Sequence, residues 1–266
     1  MANGYRFALY PRLFYFGHLA IPTYGVFTAI ALIAALVLSL QTAKRLALDP
    51  NKVWNLGLFA IFTALLGSRL LLIVLHPRDF LAHPFWMLGL VTVRNTGIFF
   101  CSIALAICVC MGYILSVGLP LRRTLDCVSP AIAVGLALHS LGAFAAGSDY
   151  GTPTNKPWGV VYKHGLSALW SGTPLGVGLH PVQMYEAVLF LALFAVLLFW
   201  LPRRQRNGDV AGVFLFSAGL IFYFLDFYRG SRSFLFHESL SVTQFISVIV
   251  TLAGATLLLR RKPSAL

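Results

Sequence analysis

Seven long apolar stretches limit what this chain can fold into. Each has about 18 residues or more, which is enough for an α-helix to cross the hydrocarbon core of a membrane. We therefore predict an all-α membrane protein with seven transmembrane helices, forming a single integral membrane domain over residues 1–266. The predicted spans are Ile21–Leu40, Val53–Leu75, Gly97–Gly118, Leu125–Ala146, Pro181–Leu201, Val210–Tyr228 and Leu240–Leu259.

The composition excludes several classes of soluble protein. Hydrophobic residues make up 59% of the chain and charged residues only 11%, whereas about 25% of a soluble domain is charged. An ordinary cytosolic enzyme, a disordered chain and a nucleic-acid-binding protein are therefore excluded. The formal net charge of +12 is explained by basic residues that flank the spans and face anionic lipid head groups.

The distribution of basic residues predicts the orientation in the membrane. Short connections on the cytoplasmic side of a membrane protein are enriched in Lys and Arg. Four compact basic clusters lie on alternate connections, which predicts a cytoplasmic C-terminus and, with an odd number of spans, an N-terminus outside. The clusters comprise Lys44, Arg45, Lys52, Arg122, Arg123, Arg203, Arg204, Arg206, Arg260, Arg261 and Lys262.

Two segments outside the spans have distinctive compositions. Residues 1–20 are aromatic and basic, which favours an arm that lies in the outer membrane interface. Residues 147–180 form a long connection rich in Gly, Pro, Trp and Tyr. Long loops are usually functional or disordered, and few charges with many aromatic residues argue against disorder. We predict a structured extracytoplasmic cap between helices 4 and 5.

Ionisable residues inside predicted spans are functional candidates, because a charge in a membrane is costly. Arg69, Glu186 and Asp226 stand out, and Arg229 follows Asp226 by three residues. An alternative for Arg69 is an ion pair with a carboxylate that only ties helices together. Asp126 is explained more simply as an acidic residue at the start of its own helix, where the helix dipole favours it.

Polar residues also converge where the predicted cap meets the fifth span. His180, Gln183 and Glu186 are three residues apart, so helical periodicity would put them on one face. Such a face can bind a lipid head group, or it can form an interhelical hydrogen-bond network. The four cysteines include no CxxC pair, so neither a metal site nor a disulfide framework is indicated. We also predict no cofactor.

The motifs resemble those of a known family. The tract His180–Glu186, HPVQMYE, resembles the H-P-[ST]-Q-L-Y-E motif of the bacterial prolipoprotein diacylglyceryl transferases, and Leu141–Gly147 resembles their R-x-G-N-F-x-x-G signature. Other matches follow the family order and cover nearly the whole chain. They are Tyr24-Gly25, Gly67-Ser68-Arg69, Asp126, Tyr150-Gly151, Asp226-Phe227-Tyr228-Arg229 and Ser241-Val242-Thr243-Gln244.

The resemblance implies a multi-pass enzyme of the bacterial inner (cytoplasmic) membrane. Such an enzyme moves the diacylglyceryl group of phosphatidylglycerol to the thiol of a lipobox cysteine in a preprolipoprotein and releases glycerol phosphate. The implied partners are an anionic phospholipid, a preprolipoprotein or other acceptor, and the lipid bilayer. The reaction needs a thiolate nucleophile and positive charge or hydrogen-bond donors that stabilise the departing phosphate.

Several family positions carry other residues here. The signature arginine and asparagine fall on Ser140 and Ala143. The family's S-F-H-G-G tract is replaced by Phe99-Phe100-Cys101-Ser102, and the basic residue one turn before the acidic residue of the sixth span is Phe222. These are positions that would handle the phosphate and the proton, so either the site is rearranged, or the transfer differs, or catalysis is lost.

The resemblance and the polar pattern together give a set of candidate residues. Arg69, Arg229 and Arg232 are expected near the phosphate, and His139 or His180 is the candidate base. Asp149 is expected to replace an acidic residue of the family's loop. The catalytic candidates are His139, His180, Asp149 and Glu186; the substrate-binding candidates are Tyr24, Arg69, Tyr150, Gln183, Tyr185, Asp226, Arg229, Arg232 and Gln244.

Two alternatives remain open at this level. In one, the same fold transfers a phospholipid-derived group to a different acceptor, because several motif residues differ. In the other, the protein is a non-catalytic lipid-binding or lipid-moving membrane protein.

Overall fold

The computed structural model describes residues 11–16, 19–82, 96–236 and 240–259. Most of the predicted interfacial arm lies outside these ranges, as does the basic cluster at residues 260–262. Within the described ranges the chain is mainly helical. The helices are α1 Thr23–Arg45, α2 Pro50–Leu75, α3 Pro77–Ala82, α4 Thr96–Ser116, α5 Leu121–Ala146, α6 Gly165–Ser171, α7 Val182–Trp200, α8 Asp209–Asp226 and α9 Val242–Leu259.

The prediction of seven membrane-spanning helices is confirmed. All the described helices except α3 and α6 are long and apolar enough to cross a membrane. Many of their large side chains face outward, including Leu70, Val74 and Leu252. Apolar side chains on the outside of a helix bundle are costly in water but compatible with lipid. The protein is therefore a multi-pass membrane protein.

Three short antiparallel hairpins accompany the helices, and the sequence analysis had not predicted them. Within the described ranges, each hairpin comes directly before a span or lies in the connection that leads to one. They pair β1 Arg12–Phe16 with β2 Leu19–Pro22, β3 Val160–Val161 with β4 Gly178–Leu179, and β5 Phe234–Phe236 with β6 Leu240–Ser241.

The chain divides into two compact units. The larger unit comprises Met1–Leu38 and Leu125–Leu266, and the smaller unit comprises Ser39–Thr124. In the smaller unit α2 packs against α4, and a Cβ atom on Gly67 would lie 3.1 Å from a methyl carbon of Leu105. All the candidate site residues except Arg69 belong to the larger unit. That residues 1–266 form a single integral membrane domain stays a prediction.

In the larger unit α8 and α9 pack closely through glycines. A Cβ atom on Gly219 of α8 would lie 2.7 Å from the carbonyl oxygen of Ser247, and one on Gly254 of α9 would lie 2.8 Å from the Cα atom of Phe216. Real Cβ atoms do not approach other atoms so closely. Small residues therefore let the two backbones meet, as is common between membrane helices.

One end of the larger unit is organised around Asp126. Its Oδ2 atom accepts a hydrogen bond from the backbone N–H of Gly208 at 2.7 Å, and its Oδ1 atom accepts one from Ala211 at 2.8 Å. Arg204 lies 3.7 Å from the same carboxylate. The explanation of Asp126 as the first-turn acidic residue of its own helix was wrong, because α5 begins at Leu121. Instead, Asp126 satisfies free N–H groups at the start of α8.

The candidate residues lie at the opposite end of the larger unit. The segments that follow α5 and α8 are hydrogen-bonded to each other, from the Gly230 N–H to the Tyr150 carbonyl, so the C-terminal ends of these two helices lie at this end. The starts of α1, α7 and α9 lie at this same end, because residues there contact the C-terminal parts of α5 and α8. This end is here called the polar end.

Candidate functional site

A buried ion pair links α7 to the segment after α8. Glu186 lies in the second turn of α7 and is 5% exposed, and its Oε1 atom is paired with Nη2 of Arg229. Its Oε2 atom accepts a hydrogen bond from Ser140 Oγ at 3.1 Å. Both carboxylate oxygens of Glu186 therefore have partners, as a buried charge requires.

Carboxylates around Arg229 keep its guanidinium charged. Burial by itself would lower the pKa of Arg229, but the nearby charges of Glu186, Asp149 and Asp226 outweigh it and raise the pKa above the ordinary value. The side chain is 23% exposed. Arg229 is therefore a fixed positive charge that is largely shielded from water at the polar end.

Asp149 lies just after α5 in an unusual backbone conformation. Its φ angle is +53°, in the left-handed region that non-glycine residues seldom adopt. Such conformations persist where the surrounding structure enforces them, and they cluster at functional sites. The carboxylate interacts electrostatically with both Arg229 and the Tyr24 hydroxyl. Asp149 is thus positioned between the end of α8 and the start of α1.

Tyr24 and His139 bring α1 and α5 together. The Tyr24 hydroxyl oxygen lies 3.5 Å from His139 Nε2, and the two rings pack edge to face with centroids 5.2 Å apart. His139 directly precedes Ser140, which contacts Glu186. The imidazole of His139 therefore lies on the same helical turn as a residue of the ion-pair cluster.

Asp226 and Gln244 organise the start of α9. Ser241 Oγ donates a hydrogen bond to Asp226 Oδ2 at 2.6 Å and accepts one from the Gln244 N–H at 3.0 Å. Gln244 Oε1 in turn accepts from the Ser241 N–H at 3.2 Å. This reciprocal arrangement is a capping box. Arg232 Nε donates to the Asp226 carbonyl oxygen at 2.7 Å, so these polar groups hold the connection between α8 and α9.

The long connection, residues 147–181, is bonded to the segment that carries Arg229. The Gly230 N–H donates to the Tyr150 carbonyl at 2.9 Å, and the Thr152 N–H donates to the Tyr228 carbonyl at 2.7 Å. A Cβ atom on Gly151 would lie 2.8 Å from the Cβ atom of His180. Only glycine fits there, which explains the glycine of the Tyr150-Gly151 motif. The extracytoplasmic location of this connection stays a prediction.

Gln183 fastens α7 to the long connection. Its Nε2 atom donates to the Ser148 carbonyl at 2.6 Å and to the Tyr162 hydroxyl at 3.4 Å. Burial raises the pKa of Tyr162, although the bond from Gln183 lowers it slightly. The ring of Tyr162 packs with Val160 and Leu179 in a small core to which Tyr150 adds. Gln183 and Tyr150 therefore help to shape the connection itself.

His180 belongs to a separate chain of hydrogen bonds. Trp158 Nε1 donates to the Tyr185 hydroxyl oxygen at 2.8 Å, and that oxygen lies 3.4 Å from His180 Nδ1. The expectation that His180 shares a helical face with Gln183 and Glu186 was wrong, because α7 begins only at Val182 and helical spacing does not apply before it.

The structure thus brings most candidates to the polar end. Three candidates lie near the Glu186–Arg229 pair: Tyr24, His139 and Asp149. Hydrogen bonds and ring contacts link the other candidates of the larger unit to the segments around this pair. Arg69 is half-buried on α2 in the smaller unit, so its place near a phosphate stays a prediction. Within the described ranges no three His, Cys, Asp or Glu side chains are arranged to hold a metal ion.

Two site features were missed by the sequence analysis. Trp158 belongs to the aromatic-rich loop, and the contact of its indole N–H with Tyr185 depends on a fold that a sequence pattern does not predict. Ser140 stands where the family signature has an arginine, and its hydroxyl donates a hydrogen bond to Glu186. Phe222 packs against Phe190 of α7 with ring centroids 5.2 Å apart, so that position is apolar.

Comparison with known proteins agrees with this architecture. The family model described as prolipoprotein diacylglyceryl transferase matches residues 11–260. The phosphatidylglycerol–prolipoprotein diacylglyceryl transferase of Geobacter sulfurreducens is 31% identical over 256 residues, covering 93% of each chain. The enzyme of the same name from Clostridium tetani is 28% identical over 246 residues, covering 92% of this chain and 94% of its own. This chain belongs to the prolipoprotein diacylglyceryl transferase family.

Proposed function

We propose that this protein transfers the diacylglyceryl group of phosphatidylglycerol to the thiol of a lipobox cysteine in a preprolipoprotein. The proposal is supported by the names of relatives that match over more than nine-tenths of this chain. We also propose that it acts in the bacterial inner membrane, with its N-terminus outside and its C-terminus in the cytoplasm, as the basic connections predict.

The observation that carries this proposal is the guanidinium of Arg229, kept charged by Glu186 at one end of the bundle. In the reaction, a base takes the thiol proton and the thiolate attacks the diacylglyceryl carbon bonded to the phosphate oxygen. That carbon–oxygen bond breaks, and glycerol phosphate leaves with the electron pair. A fixed positive charge in a site that excludes water stabilises such a leaving group.

His139 is the base that best fits this geometry. Its Nε2 atom faces the Tyr24 hydroxyl, and it lies next to Ser140 in the ion-pair cluster. A neutral imidazole accepts a proton near physiological pH. Glu186 has both oxygens engaged, so it acts as a positioning residue for Arg229, and Asp149 contributes to the field that keeps Arg229 charged.

Most of the remaining candidates hold the segments that surround Arg229. Asp226 and Arg232 fix the segment that carries Arg229, and Gln244 caps α9 beside them. Gln183 and Tyr150 hold the long connection against α7 and Gly230.

Complementation tests the proposal. Cells depleted of their own lipoprotein diacylglyceryl transferase should grow and process lipoproteins with this protein but not with Arg229→Gln. Arg203→Gln is the matched control, because Arg203 stacks on Phe199 near the other end of α7. Absence of rescue by the intact, membrane-inserted protein would contradict the proposal.

A double variant separates chemistry from folding. Arg229→Gln alone leaves the Glu186 charge unpaired, which is destabilising in itself. Glu186→Gln with Arg229→Gln removes both charges and keeps similar side-chain shapes. If Arg229 stabilises the leaving phosphate, the double variant stays inactive although it folds. Recovered activity in the double variant would mean that the pair only ties helices together.

A further inference from the structure

Three aromatic side chains at the polar end form a hydrogen-bonded chain that the proposed reaction does not use. Trp158 Nε1 lies 2.8 Å from the Tyr185 hydroxyl oxygen, and that oxygen lies 3.4 Å from His180 Nδ1. We propose that Trp158 and Tyr185 hold His180 in its Nε2–H tautomer, so that the neutral imidazole donates a hydrogen bond to a phosphate oxygen of the phospholipid donor. The phosphate contact rests on the proposed function.

The hydrogen-bonding capacity of each group allows the direction that the proposal requires. An indole N–H can only donate, so the Tyr185 oxygen accepts from Trp158. The hydroxyl hydrogen of Tyr185 is then available for another acceptor, and His180 Nδ1 is within reach. A ring nitrogen accepts only when it carries no hydrogen, so a neutral imidazole bonded in this way has its hydrogen on Nε2.

The His180 ring lies beside the segment that carries Arg229. Its backbone N–H donates to the Thr152 carbonyl at 3.0 Å, and Thr152 is bonded in turn to Tyr228. The imidazole also packs edge to face on the Tyr228 ring, with centroids 5.2 Å apart. Tyr228 precedes Arg229 directly. A donor at this position therefore supplements the guanidinium.

The environment of His180 keeps the imidazole neutral. Burial and the positive charge of Lys156 both lower its pKa below the ordinary value. Among the described residues, the groups against this ring are the Tyr185 hydroxyl, the Tyr228 ring and the ammonium of Lys156, and none of them is a carboxylate. His180 therefore acts as an uncharged donor, and Trp158 and Tyr185 are positioning residues that act through it.

The tautomer can be measured directly by ¹⁵N NMR of the full chain with labelled histidine, in detergent. His180→Gln identifies the His180 signals among the seven histidines. We expect a protonated Nε2 and an unprotonated Nδ1 in the wild type, and mixed tautomers in Tyr185→Phe. Trp158→Phe should shift the Nδ1 signal in the same direction. Trp170→Phe, which removes another indole from the long connection, should leave both signals unchanged.

Ligand addition tests the phosphate contact. The Nε2–H proton signal should shift when phosphatidylglycerol is added, and it should not shift with diacylglycerol, which lacks the phosphate. In the transfer assay, kcat/KM for phosphatidylglycerol should fall about tenfold in His180→Phe, as expected for loss of one good hydrogen bond to a charged group. It should fall about twofold in Tyr185→Phe, where only part of the imidazole still donates from Nε2, and it should be unchanged in Trp170→Phe.

The outcomes separate this inference from the proposed function. A wild-type His180 protonated on Nδ1, or a tautomer unaffected by Tyr185→Phe, would overturn the inference. So would an Nε2–H signal that does not respond to phosphatidylglycerol. All these spectra are recorded without turnover, so wild-type protein that shows the expected spectra but transfers no lipid would contradict only the proposed function.

Discussion

Arg229 and Glu186 show most clearly how single residues create this site. Each carries a charge that the surrounding apolar helices disfavour, and the pair is tolerated because the two charges neutralise each other. The sequence predicted both residues from their cost in a membrane, but it did not predict that they pair. They are 43 residues apart, and only the packing of α7 against α8 brings them together.

Glu186→Gln should destabilise the protein by about 3 kcal/mol, the lower end of the range for breaking a buried ion pair, because Arg229 is left without its main partner. The free energy of unfolding in mixed detergent micelles measures this change. In a double-mutant cycle, adding Arg229→Gln should recover part of the loss. Additive effects of the two substitutions would contradict a direct interaction.

His180 should make stability depend on pH in a defined direction. Its pKa is lowered from 6.5 in the folded state, so the unfolded chain binds a proton more readily there. Stability therefore rises with pH in the window that ends near pH 6.5, and it falls as the pH drops below that value. His180→Gln should flatten this part of the curve, as measured by thermal unfolding between pH 5 and 8.

The two curves must be compared by their difference, because other groups also titrate in this range. The charged and titratable groups that face His180 are Lys156, Tyr185 and Tyr228, and the variant retains all three. An identical pH dependence in the wild type and the variant would contradict the lowered pKa of His180.

At the scale of elements, the spans could be predicted because membrane crossing imposes a length and a polarity that each stretch satisfies alone. The β3–β4 pairing and the cap that Asp126 provides could not, because they depend on neighbours distant in sequence. Asp126 caps α8 across 82 residues. Gln244, expected at the substrate, instead forms a capping box with Ser241, and the S-x-x-Q spacing of these two residues is the local signature of such a cap. Trp158 reaches Tyr185 only after the long connection folds back.

The α8–α9 contact should be sensitive to a single methyl group. Gly254→Ala would push a Cβ atom against the backbone of Phe216, and overpacking of this kind costs about 1–3 kcal/mol. Gly112→Ala in α4 is the matched control, because no atom lies within 4 Å of the added Cβ. Unfolding measurements should therefore separate the two variants, and equal stability would contradict close packing at Gly254.

At the scale of the whole molecule, the two ends of the larger unit differ in their polar contacts. Asp126 and Arg204 hold the helices together at one end, whereas the polar end collects the Glu186–Arg229 pair together with Asp226 and Arg232. The sequence predicted this asymmetry, since the candidate residues follow or precede the ends of spans. It could not predict which groups would be engaged with each other and which would face a substrate.

Direct observation of lipid transfer tests whether this protein moves a diacylglyceryl group from phosphatidylglycerol to a lipobox thiol. The purified full chain is reconstituted with phosphatidylglycerol and a lipobox peptide, and the peptide mass and released glycerol phosphate are measured together. If the protein is a transferase that depends on Arg229, the peptide gains one diacylglyceryl group for each glycerol phosphate released. The folded double variant Glu186→Gln, Arg229→Gln then forms neither product. An unmodified peptide with folded wild-type protein, or full transfer by the double variant, would contradict this prediction.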